Sequence, residues 1–248
     1  MALSHIQACL NGGRSRAEHP RLPISASDLA LDASAAIAAG ARSLHVHPRD
    51  ASGAETLEPG AVTAALAAIR AACDAPVGVG TGAWIAPGGS ARRALIAAWP
   101  RPDMGGPDFA SVNLNEPDAP AVTALLAGRG IGVEAGLWTV ADAERFVAAL
   151  ADGRIAASAC LRALIEMTEE EPGRALETAR AIRDILDRAE VALPILLHGA
   201  GGSVWACVAE AARWGVATRV GFEDGLHTPD GALAADNAAL VRAAAHGP

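Results

Sequence analysis

SDLALDASAAIAAGARSLHVH, residues 27–47, decides how this chain is read. Ser27–Ala39 is rich in alanine with apolar residues at helical spacing, Ser25 or Ser27 offers an N-cap, and Gly40 ends the run. Ser43–His47 then reads as a short strand and Pro59–Ala72 as another helix. Helix and strand following one another over such short links are the pieces of a parallel βαβ unit.

The same alternation continues on both sides of this stretch and fills the chain. Ser4–Leu10, Pro76–Gly80, Phe109–Asn113, Ile131–Glu134, Leu161–Glu166, Ile195–His198 and Thr218–Phe222 are further strand candidates. Helical stretches fall near Ala91–Ala98, Pro120–Ala127, Val140–Leu150, Pro172–Arg188, Val204–Trp214 and Ala232–Ala245. Eight strands alternating with eight helices in 248 residues predict an α/β chain folded as one (β/α)8 TIM barrel over residues 1–248, with no linker.

Composition narrows the functions. A formal net charge of −8 argues against nucleic acid or an anionic membrane as partner. No apolar run is long enough for a membrane span, and Met1–Leu10 lacks the basic and apolar regions of a secretory leader. Cys9, Cys73, Cys160 and Cys207 lie far apart, as expected of a reduced, cytoplasmic protein. All 20 basic residues are arginine. Without lysine there is no amine for a Schiff base, so carbon–carbon chemistry here needs a metal or arginine to stabilise developing charge.

Chemistry in such barrels gathers at the C-terminal strand ends. These positions carry Asn11, His45 with His47, Thr81 with Gly82, Ser111 with Asn113, Glu134, Glu166, His198, and Glu223 with Asp224. His45 and His47 stand two apart on a strand and therefore point to one face, as a pair of metal ligands or as hydrogen-bonded core histidines. Glu223 and Asp224 are adjacent carboxylates that repel unless employed, one as third ligand and the other as general base, or else a solvated turn. Two histidines and one carboxylate leave an open metal position for substrate. Arg219 either holds Asp224, receives a substrate carboxylate, or forms an outward ion pair. The His198–Ser203 loop has glycines suited to an anion or simply to a tight turn. Trp84 and Trp138 either wall a pocket or pack loops.

Asn11-Gly12-Gly13-Arg14 with His19-Pro20, His45-Val46-His47-Pro48-Arg49-Asp50, and Arg219-Val220-Gly221-Phe222-Glu223-Asp224 together resemble the β-keto acid cleavage enzymes, nearly end to end. The resemblance implies a homotetramer of (β/α)8 barrels with one zinc per chain on His45, His47 and Glu223. It implies Asp224 and Arg219 as catalytic residues, and a β-keto acid and acetyl-CoA as the small-molecule partners, giving acetoacetate and a new acyl-CoA. Substrate contacts are expected at Asn11, Arg14, Thr81, Gly82, Ser111, Asn113 and Glu134. Members that take an amino-substituted keto acid carry an acidic residue where this chain has Arg14, so a neutral or anionic tail is expected. The family's serine before Thr-Gly is Gly80 here, which passes its contact to Thr81 or a backbone amide. The competing readings are a metal-dependent aldolase or hydrolase that needs no CoA, and a non-catalytic barrel that binds a metabolite.

Overall fold

The computed structural model describes residues 3–86 and 88–247; Met1, Ala2, Pro87 and Pro248 lie outside the described residues. The eight expected strands form, in chain order, β1 (Ile6–Cys9), β2 (Ser43–Val46), β3 (Val77–Gly80), β4 (Phe109–Asn113), β5 (Gly132–Leu137), β6 (Cys160–Met167), β7 (Ile195–Gly199) and β8 (Ala217–Val220). All neighbours pair in parallel, and β1 pairs with β8, so the sheet closes into a barrel. The helices between and after them are α1 (Ala26–Ala38), α2 (Pro59–Ala72), α3 (Ser90–Ala97), α4 (Ala119–Gly128), α5 (Val140–Ala151), α6 (Pro172–Arg188), α7 (Val204–Trp214) and α8 (Asn237–His246). The (β/α)8 reading is borne out.

Side-chain alternation along β2 shows how sequence builds the two layers. Leu44 and Val46 point outward into a continuous apolar core shared with the helices, where Leu29, Val62, Leu66 and Ile69 meet them. His45 points into the lumen. The lumen is unusually polar for such a barrel. Its apolar residues include a small cluster of Leu164, Leu196 and Ala217, separate from the main core, and the Phe109 ring beneath Arg162. Above and beside it stand Gln7, Glu134, Arg162, His198 and Arg219. Burying so many polar groups is costly unless they pair, which they largely do.

Local signals explain the element boundaries. Ser25, not Ser27, caps α1: its hydroxyl accepts from Asp28 N while the Asp28 carboxylate accepts from Ser25 N. The last helix begins at Asn237, later than the expected Ala232. Residues 227–233 instead fold into a hairpin through the His227–Leu233 bridge, with Thr228 N bonded to Ala232 O at 2.9 Å. Asp236 then caps α8 by accepting from Ala239 N.

Candidate metal centre and its surroundings

At the C-terminal ends of β2 and β8 the expected residues converge. His45 Nε2 and His47 Nε2 lie 3.1 Å apart. Glu223 lies 3.8 Å from His45 Nε2 and 3.4 Å from His47 Nε2. One donor atom from each of these three residues falls within 4.8 Å of the others.

His47 sits one residue past the end of β2, and a side chain holds it there. Asn11 Nδ2 donates to His47 O and Asn11 Oδ1 accepts from His47 N, each at 2.9 Å, so the amide continues the sheet ladder. The segment after β2 then doubles back. Asp50 N bonds to Ala54 O and Thr56 N to Pro48 O, and an Arg49–Glu55 bridge closes this hairpin. The turn returns Glu55 to His47, where its carboxylate pairs with Nδ1. Arg49 donates to the carbonyls of Gly12 and Arg14, fixing the loop that carries Arg14. Glycine is required at two contacts: a Cβ on Gly12 would lie 2.4 Å from Glu223 Cγ, and one on Gly221 would lie 2.0 Å from Cys9 O.

The donor set fits a metal ion. Tetrahedral ligation at about 2.0–2.1 Å places two imidazole nitrogens roughly 3.3 Å apart, close to the separation found. Glu223 Oε2 is buried without a hydrogen-bond partner. Glu55 on His47 Nδ1 is the kind of outer carboxylate that fixes a ligating imidazole. Burial holds His45 down to about 3, which keeps its lone pair free. Burial also works against charge on His47, but Glu223 and Glu55 carry it up to about 9.

Asp224 is buried beside this triad. Arg219 Nη2 and Nε grip its two oxygens at 2.7 and 3.0 Å, and Nη2 reaches Glu223 at 3.1 Å. Of the readings open for Arg219, the structure places it on Asp224. Cys9 Sγ donates to Asp224 Oδ2 at 3.1 Å, and His198 Nδ1 lies at the same distance. Burial raises the Asp224 carboxyl, but Arg219 and His198 more than offset it and hold the group at about 2. His198 is opposed by burial and Arg219, yet Asp224 and Glu166 carry it to about 9.

The remaining expected residues lie in three places. Arg14 is close to the triad: its Nε donates to Glu223 O at 3.3 Å, Nη1 pairs with Glu18, and the side chain lines a cleft of about 480 Å³ with Gly201, Trp205 and Leu226. Thr81, Gly82, Ser111 and Asn113 stand together at the ends of β3 and β4, with the Thr81 hydroxyl donating to Ser111 O at 2.6 Å. Trp84 folds over Gly82 and pairs with Trp138 at 6.3 Å between ring centroids. Glu134 is fully buried in the lumen, where Gln7 donates to it at 2.9 Å and Arg162 Nε lies 3.1 Å away. Glu55, Cys9, Gln7 and Arg162 escaped the sequence reading. Of these, Gln7, Cys9 and Arg162 had a usable signal, since each alternates with apolar neighbours on a strand.

The whole described site falls within one family match. The chain fits the profile of the beta-keto acid cleavage enzymes over residues 4–247. It belongs to that family. No curated protein matches it by sequence. Among solved structures, the apo form of ObcA aligns with a TM-score of 0.70 at 19% identity, covering 90% of this chain and 61% of that one. A ternary complex of ObcA with C4-CoA adduct and oxalate aligns with a TM-score of 0.70 at 18% identity, covering 90% and 62%. A type I 3-dehydroquinate dehydratase from Clostridium difficile has a TM-score of 0.59 at 12% identity, covering 89% and 85%. At these identities the likeness is one of fold. This family member spans about three-fifths of the length of the ObcA chains it matches.

Proposed function

We propose that the chain is a zinc-dependent β-keto acid cleavage enzyme that uses acetyl-CoA as acyl donor. The observation that carries this reading is the convergence of His45, His47 and Glu223 donors beside the buried Asp224–Arg219 pair. A zinc ion held there would act as a Lewis acid toward the ketone oxygen. The chain's own groups account for the rest. Asp224 takes a proton from the carbon between ketone and carboxylate. In the free protein Arg219 leaves it a weak base, so a substrate carboxylate that shares Arg219 would strengthen it. The carbon's electron pair attacks the thioester carbonyl, the C–S bond breaks, and CoA thiolate leaves. The thiolate attacks the substrate's own ketone, the old C–C bond breaks, and acetoacetate recovers the proton from Asp224. R–CO–CH2–COO⁻ and CH3–CO–SCoA thereby give CH3–CO–CH2–COO⁻ and R–CO–SCoA.

Arg14 supports a neutral or anionic R group, because its side chain lines a cleft while its Nε reaches the backbone carbonyl of Glu223. The deciding experiment incubates zinc-loaded protein with β-keto acids, with and without acetyl-CoA, and follows new thioester by mass. A thioester that appears only with acetyl-CoA is expected. Keto acid consumed at the same rate without it would overturn the acyl-transfer reading in favour of a hydrolase or aldolase.

A further inference from the structure

Arg92 is a fully buried cation that the proposed chemistry does not use. It projects from α3 between the turns that follow β3 and β4. Its Nη1 donates to Thr81 O at 2.9 Å and pairs with Glu116, and its Nη2 pairs with Asp118. Glu116 Oε1 in turn accepts from Ala83 N at 2.8 Å and from Asn113 Nδ2 at 3.3 Å. One guanidinium and one carboxylate therefore tie the Thr81–Ala83 turn to Asn113. This assembly is next to the triad: Gly80, which precedes Thr81, approaches so closely that a Cβ there would lie 2.5 Å from His47 Nε2.

A buried ion pair is a poor way to gain stability, since desolvation consumes most of the attraction. Its directional bonds do supply something apolar packing lacks, a fixed separation between two loops. We propose that Arg92 and Glu116 are positioning residues for the β-keto acid, acting by holding Thr81, Gly82 and Asn113 against the metal side of the lumen. This rests on the function proposed above. Asp118 is the built-in control. It takes the other guanidinium nitrogen and also pairs with Arg93 at 2.9 Å, but its carboxylate bonds to neither Ala83 N nor Asn113.

The test titrates acetoacetate into zinc-loaded protein by calorimetry, with zinc content and melting temperature measured on each variant. Glu116→Ala should weaken acetoacetate binding about tenfold or more, the worth of a charge-assisted contact, and leave zinc content unchanged. Glu116→Gln, which keeps one acceptor oxygen for Ala83 N and Asn113 but loses the charged pair with Arg92, should recover part of the affinity. Asp118→Ala should lower the melting temperature similarly and bind acetoacetate as the wild type does. Equal binding losses in Glu116→Ala and Asp118→Ala, or no loss in either, would overturn the positioning role. If Glu116→Ala does not fold, Glu116→Asp replaces it, since the shortened side chain retracts from Ala83 N and Asn113. Binding by Glu116→Asp equal to that of Asp118→Asn overturns the role. A zinc-loaded wild type that binds no acetoacetate would overturn the function reading, and this inference with it.

Discussion

Replacing Glu55 by glutamine tests the metal centre without touching a ligand. The Glu55 carboxylate pairs with His47 Nδ1, and the two side chains are only 15% and 5% exposed, so their interaction is poorly screened by water. Glutamine keeps an oxygen that accepts from Nδ1–H but removes the negative charge that makes Nε2 a stronger donor. Outer-shell partners of this kind contribute about 10–100-fold to metal affinity, equivalent to roughly 1.4–2.7 kcal/mol. Because the hydrogen bond survives in Glu55→Gln, the loss should fall near tenfold, whereas Glu55→Ala should approach a hundredfold. Competition of metal-free protein against a fluorescent zinc chelator above about pH 9, where the His47 proton no longer competes, measures this directly and needs no substrate. Glu223→Gln, which removes a ligand charge, should lose more than either variant. Wild-type zinc affinity in both Glu55 variants, alongside a clear loss in Glu223→Gln, would refute the argument that Glu55 supports His47 as a ligand.

Asp224→Asn should keep zinc but reduce turnover by about 10²–10⁴-fold if Asp224 moves the proton, as read from acyl-CoA formation and metal content on the same sample; wild-type turnover would remove it from that role. Arg14→Glu should shift preference from anionic or neutral tails toward ammonium-bearing β-keto acids, and an unchanged ranking across a charge series would show that Arg14 does not meet the tail. Burial raises the Asp32 carboxyl to about 6, partly countered by its hydrogen bond from Asn237. The folded state therefore holds this proton more tightly than the unfolded chain, and the associated stability is lost as pH rises through about 6. Asp32→Asn should then be the more stable protein above that pH, by about 1–2 kcal/mol after discounting for partial exposure, and show little advantage near pH 4; denaturant melts at the two pH values check it, and an equal difference at both would contradict the assignment.

Most of the barrel could be read from residue order. The period-two pattern of Leu44, His45, Val46 and His47 fixed which side chains enter the lumen, because a strand that slips by one residue would expose its apolar face. The doublet Glu223-Asp224 and Arg219 stood out for a related reason: charged residues at the end of an apolar strand need partners. Helix starts were legible where a cap lay in the local sequence, as at Ser25. The start of α8 was not, because the 227–233 hairpin competes with helix through contacts that local propensity does not weigh.

Residue order alone is enough for the alternation of strand and helix, the lack of lysine, and the His45–His47 and Glu223–Asp224 pairs. These depend on chemical type and on spacing within one element. It takes the folded barrel to show that Glu55 backs His47, that Cys9 and His198 share Asp224 with Arg219, that Glu134 is taken up by Gln7 and Arg162, and that Arg92 joins two loops through Glu116. Partners such as Gln7 and Glu134, 127 positions apart, meet only because closing β1 onto β8 folds a linear order into a ring. Which charge then faces which is set by the twist and stagger of that ring, a property no single strand carries.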